Sequence, residues 1–135
     1  MRHGVFHLYR AVLEGLALTM GAHLQTLAGG LGRDVRQVLL SGGGARSPLM
    51  QQVVADVTGL PVRVAHDAGS PAALGAAVCA AVGTGVHPGF DEAAAAMVTP
   101  GETARPDAAA TRAYEKIGRT HAALRAALAP VLRLG

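Results

Sequence analysis

Leu39 to Met50 reads LLSGGGARSPLM: an apolar run, three consecutive glycines, then a Ser-Pro pair of the kind that opens a helix. Glycine loses more freedom on ordering than any other residue, so three in a row mark a place where a ligand or another backbone comes close. With Ser47 as N-cap and Pro48 as the first helical residue, a strand, a glycine turn and a helix bring three main-chain N–H groups and a helix N-terminus to one point. That arrangement accepts a flat or anionic ligand. No Lys-Ser/Thr pair follows the glycines, so the turn is not a Walker A loop, and the GxGxxG spacing is absent. On pattern alone, ligand contact and a plain tight connection stand level.

The other residues able to do chemistry are scattered. Glu14 is four residues from Arg10, a spacing that suits an ion pair on a helix surface better than a general base. The six histidines show no metal-ligand spacing; His3 and His7 are four apart with no third ligand near them. Asp56 falls inside a helix and Asp67 in a loop. For Asp67, contact with a ribose or a metal-bound water competes with the plainer reading of a solvated loop aspartate. Cys79, the single cysteine, excludes an internal disulfide and reads as a small buried apolar residue.

The elements that must position the glycine turn follow from periodicity. Val5, Tyr9, Val12/Leu13, Leu16, Met20, Leu24 and Leu27 recur at helical steps to about Ala28, and GGLG, Gly29 to Gly32, ends that helix. Arg36 to Ser41 suits a short buried strand. After the glycines a helix runs from Pro48 to about Thr58, closed by Gly59. Leu60 to Ala65 alternates as a second strand, HDAGS is a loop, and Ser70-Pro71 starts a helix to about Val82. Asp91 caps a short alanine helix ending near Met97, Thr99 to Asp107 is a proline-containing loop, and a last helix spans about Ala108 to Ala129, with Tyr114, Ile117, Leu124 and Leu128 on one face. The order is α-β-α-β-α-α-α in a single domain, 1–135, with a short parallel sheet. Two strands leave both edges open and little face to cover, so further strands lie elsewhere or the chain docks onto something.

Composition narrows the function classes. Of 135 residues half are apolar and 3% aromatic, with no Trp, which suits tightly packed helices on a small sheet. The net charge is +3, but the arginines are dispersed and aromatics to stack bases are almost lacking, so no nucleic-acid partner is expected. No run approaches the roughly 20 apolar residues of a membrane span. The N-terminus is not a signal peptide, and a soluble cytoplasmic product is expected.

LYRAVLEGLAL, VLLSGGGARSPLMQQVVADVTGLPV, SPAALGAAVCAAVGTGV and DEAAAAMV, in that order and spacing, resemble the C-terminal domain of the FGGY carbohydrate kinases, among them the pentulose kinases for ribulose or xylulose (ribulokinase, xylulokinase). The resemblance covers about Leu8 to Tyr114. It implies a partial actin-like, ribonuclease H-like ATPase lobe, one of two that close on nucleotide and sugar. It further implies that the backbone of Gly43, Gly44 and Ala45 lies against the adenine and ribose of ATP, with Ser47 and Gln51 as polar neighbours of the base. The competing readings are a plain N-cap for Ser47 and a solvated helix residue for Gln51. Gly75, in the small-residue helix behind the nucleotide cleft, is a packing residue, and LEG, Leu13 to Gly15, lets the first helix approach a neighbour.

The resemblance also implies what is missing. The phosphate-binding turn, the sugar site, the catalytic aspartate and the first three strands of the lobe belong to sequence upstream of this stretch. The chain therefore carries no catalytic and no metal-ligating residue; Lys116, in the last helix, supplies none. Magnesium and the sugar belong to the complete enzyme, which transfers the γ-phosphoryl group of ATP to a sugar hydroxyl. The chain is then a fragment, one chain of a split kinase completed by another polypeptide, or a non-catalytic nucleotide-binding or dimerisation module that pairs as a homodimer.

Overall fold

The computed structural model describes residues 3–66 and 70–132. The centre is α2 (Pro48–Thr58), an eleven-residue helix with Met50, Val53, Val54, Ala55 and Asp56 buried. Met50, Val53 and Val54 stand three and four apart and so share one face; with Ala17, Val62 and Tyr114 they make the core. Ser47 caps the helix as expected, its side chain accepting from the Met50 amide, and Pro48 is the first helical residue. Gly59 closes it at φ 68°, a conformation that Cβ-bearing residues avoid.

Two helices pack on α2. The first, α1 (Val5–Leu31), passes through Gly29 and Gly30 and stops only at Gly32, whose φ is 60°. At Gly21 it packs closely on α2: a Cβ there would meet Val57 Cγ1 at 3.4 Å. Gly15, expected to allow such an approach, faces open space. The other is the last helix, α5 (Ala108–Leu132), which presents Tyr114 and Gly118 to the bundle; a Cβ on Gly118 would lie 3.6 Å from Leu18 Cδ2.

On its sheet side α2 covers β2 (Val62–His66) and β3 (Thr99–Ala104). The sheet order is β1-β2-β3. β1 (Val38–Leu40) pairs parallel with β2, Val38 opposite Val62, as the βα alternation implied. β3 runs antiparallel to β2, with Val62 opposite Ala104 and an irregularity between Arg63 and Ala65. The Thr99–Asp107 stretch expected as loop therefore contributes a third strand, and the sheet is mixed rather than parallel. The expectation of a buried first strand also fails at Leu39, which is 59% exposed.

α3 (Pro71–Gly83) is capped by Ser70 as expected but buries none of its residues. Gly75 has no neighbour within 4 Å, and Cys79, read as buried, is exposed. α3 packs chiefly on α4 (Phe90–Met97). The α4 cap is Gly89; Asp91, expected there, sits in the first turn. Among the described residues no helix is long and apolar enough to cross a membrane.

Candidate functional site: the glycine turn between β1 and α2

The three glycines fold as a turn that projects between β1 and α2. Gly42 has φ 84° and ψ −164°, a conformation only glycine adopts readily. It throws Gly43–Arg46 into one turn of 3-10 helix. The Ala45 N–H donates to the Gly42 carbonyl at 3.1 Å, and the Ser47 N–H to Gly44 at 3.3 Å. Ala45 turns inward and is buried. Gly43 and Gly44 are exposed, and a Cβ on either would meet nothing within 4 Å. Their amides find no partner among the described residues. The uncovered main chain is thus that of Gly43 and Gly44, beside the first turn of α2.

Ser47 and Gln51 are already engaged in holding this turn. The Ser47 hydroxyl accepts from Met50 N at 3.3 Å. The Gln51 side-chain amide donates to the Ala45 carbonyl at 2.6 Å, so Gln51 is a half-buried brace for the turn rather than a freely solvated helix residue. The five residues expected at the site therefore come together: Gly43 and Gly44 open, Ala45 behind them, Ser47 and Gln51 fixing the geometry. Asp67 lies outside the described residues.

Asp56 and Glu14 are structural. Asp56 is 7% exposed and accepts from Gln52 Nε2 and from the Asp107 amide, both at 2.8 Å. It ties α2 to the start of α5, where the Asp107 carboxylate in turn accepts from Ala109 and Ala110 amides. Glu14 pairs with Arg10 at 2.8 Å, as its spacing implied. It also accepts from the Tyr114 hydroxyl at 2.7 Å, and Arg10 Nη2 donates to the same hydroxyl at 3.2 Å. Burial, then the bond to Glu14, pushes the Tyr114 phenol up from its ordinary range; the bonds to Glu14 and Tyr114 raise Arg10. A tyrosine a hundred residues from its carboxylate leaves no local signal in sequence.

Among the described residues no three of His, Cys, Asp and Glu stand together. An open groove of about 530 Å³ lies between α1, the end of α2 and α5, lined in part by Leu18, Gly21, Val57, Gly118 and Arg119. It does not include the glycine turn.

Residues 1–84 match the model of the C-terminal domain of the FGGY family of carbohydrate kinases. The L-xylulose/3-keto-L-gulonate kinase of Escherichia coli is 34% identical over 126 residues, 93% of this chain and 25% of that protein. The autoinducer-2 kinase of Yersinia enterocolitica is 37% identical over 91 residues, 67% of this chain and 17% of that protein. The crystal structure of xylulose kinase from Rhodospirillum rubrum superposes with a TM-score of 0.81 at 34% identity, covering 98% of this chain and 27% of that one. The chain therefore spans a quarter or less of the length of these curated relatives.

Proposed function

This chain belongs to the FGGY family of carbohydrate kinases, matching its C-terminal domain, and from that premise we propose that it is the nucleotide-binding portion of a pentulose kinase. The adenine and ribose of ATP rest on the main chain of Gly43, Gly44 and Ala45. Ser47 and Gln51 hold the turn in shape and border the base. The observation that carries this reading is the open space over Gly43 and Gly44, where any side chain would stand in the way of a planar ring. The free amides beside the α2 N-terminus add donors and a partial positive charge where the ribose and phosphates approach.

ATP supplies the γ-phosphoryl group that the complete enzyme passes to a sugar hydroxyl. Phosphoryl transfer needs a base for that hydroxyl and a place for magnesium. The resemblance puts both upstream of this stretch, and the part proposed for this chain is to hold and orient the adenosine while the lobes close. The names of the relatives, xylulose kinase and L-xylulose/3-keto-L-gulonate kinase, support a ketose of pentulose size as the acceptor. A cytoplasmic setting, where ATP is abundant, fits this chemistry.

Gly43→Val and Gly44→Val test the seat. Neither position has a positive φ and neither would meet a neighbour, so both variants keep the parent melting temperature. Each weakens ATP or ADP binding by at least about tenfold, a loss of about 1.4 kcal/mol. Unchanged affinity in both contradicts the proposal.

A further inference from the structure

The groove between α1, the end of α2 and α5 takes no part in the nucleotide reading. Its volume is about 530 Å³, within the roughly 300–1,000 Å³ of small-molecule sites. Its walls are apolar or small: Leu18, Gly21 and Ala22 from α1, Val57 from α2, Gly118 and Ala122 from α5. α1 and α5 approach most closely at a glycine, where a Cβ on Gly118 would lie 3.6 Å from Leu18 Cδ2. Leu18, Ala22, Gly118 and Ala122 also bound a second hollow of about 330 Å³, which continues the groove along the two helices to Arg125. The short side chains leave this floor uncovered: Ala122 and Ala126 are exposed although they line the hollow.

The polar lining favours one class of ligand. A sugar or a base needs several free donors and acceptors, and the hydroxyls here are committed. Thr58 donates to the Val54 carbonyl at 2.7 Å, and Tyr114 to Glu14 at the same distance. The arginines and the acid in the lining all stand on α5: Glu115, Arg119 and, in the second hollow, Arg125 beside His121. Glu115 lies four residues before Arg119, a spacing that suits an ion pair. Even so, among the described residues neither Arg119 nor Arg125 has an ion-pair partner. A guanidinium is a planar fork of donors that matches a carboxylate. The groove is therefore an apolar trough with two uncommitted forks along one rim.

We propose that this groove binds an acyl-chain carboxylate, its hydrocarbon along Leu18, Ala22 and Ala122 and its carboxylate on the α5 arginines. Burial of the chain drives association; the arginines choose the head group. A cationic amphiphile of the same length gains the first contribution and loses the second. The groove excludes the glycine turn, so the inference stands apart from where nucleotide binds.

The test compares two head groups on one chain length. Decanoate and decyltrimethylammonium, each below its micellar concentration, are titrated separately into the isotope-labelled chain. Saturable amide shifts are expected at Leu18, Ala22, Gly118 and Ala122, with decanoate bound at least about tenfold more tightly than the cation. Arg119→Gln combined with Arg125→Gln is expected to remove that preference at an unchanged melting temperature, since both side chains are exposed and unpaired. Ala122→Phe, which fills the floor from an exposed position, is expected to weaken both probes. Equal affinity for the two head groups, a double arginine variant that keeps the preference, or unchanged affinity in Ala122→Phe overturns the proposal. So does the absence of saturable shifts, or their spread over the exposed Val5, Tyr9 and Val12 of α1 instead of the groove. Groove amides that move with chain concentration alone would seat a second copy there and overturn it too.

Discussion

Gly43 and Gly44 are glycines for a different reason from Gly42. Gly42 needs its left-handed φ to start the turn; the two that follow have ordinary backbone angles and no neighbour to avoid. On the proposed reading, their missing side chains leave room for the adenosine. Tyr114 is the residue with a second measurable consequence. Its phenol is raised above 10.0, the ordinary value it keeps in the unfolded chain. Below pH 10.0 both states hold the proton and the contribution to stability is full. Above it the unfolded chain releases the proton first, so stability falls as pH climbs toward the folded value. Thermal melts between neutral pH and pH 11 are expected to show that decline, and Tyr114→Phe to flatten it. A variant with the parent's slope would mean that the Glu14–Tyr114–Arg10 group does not hold α1 to α5. Neither Tyr114 nor Asp56 was legible as a contact, because their partners are a hundred and about fifty residues away. The glycine turn was legible because it is local.

At the scale of elements, α2 and its caps follow from sequence almost residue by residue: Ser47, Pro48 and Gly59 each do what their type prescribes. β3 does not follow. Pro100 and Gly101 argue against a strand; β3 stands at the sheet edge, where among the described residues no further strand needs the N–H that Pro100 lacks. Periodicity found α1, of whose repeat Leu13 packs on the core while Val5, Tyr9, Val12, Leu16 and Leu27 are exposed. Asp56 links two elements, holding Gln52 on α2 and the amide that precedes α5. Asp56→Ala leaves that amide without its acceptor and is expected to cost about 1–3 kcal/mol, read as a lower urea midpoint at unchanged m-value. A midpoint within error of the parent would mean that α5 is held by Tyr114 and its apolar contacts alone.

For the molecule as a whole, the exposed apolar residues are the informative quantity. α3 buries none of its residues, among the described residues nothing pairs the outer side of β1, and Val5, Tyr9, Val12, Leu16 and Leu27 of α1 are exposed. The chain spans 25% of the Escherichia coli L-xylulose/3-keto-L-gulonate kinase and 27% of the Rhodospirillum rubrum xylulose kinase. By the resemblance, the phosphate-binding turn, the sugar site and the catalytic aspartate of the complete enzyme lie in sequence upstream of this stretch. The purified chain is therefore expected to give no sugar-dependent ADP production from xylulose, ribulose and magnesium-ATP; turnover above the no-enzyme rate would contradict this. The central claim is the adenosine seat, and amide chemical-shift mapping of the isotope-labelled chain during an ADP titration reads it most directly. Saturable shifts are expected at Gly43, Gly44, Ala45, Ser47 and Gln51 with a dissociation constant in the range of about 1 mM, some −4 kcal/mol, for half of a two-lobed site. Shifts confined to the α1–α5 groove, or none at 10-fold higher ADP than about 1 mM, would contradict it.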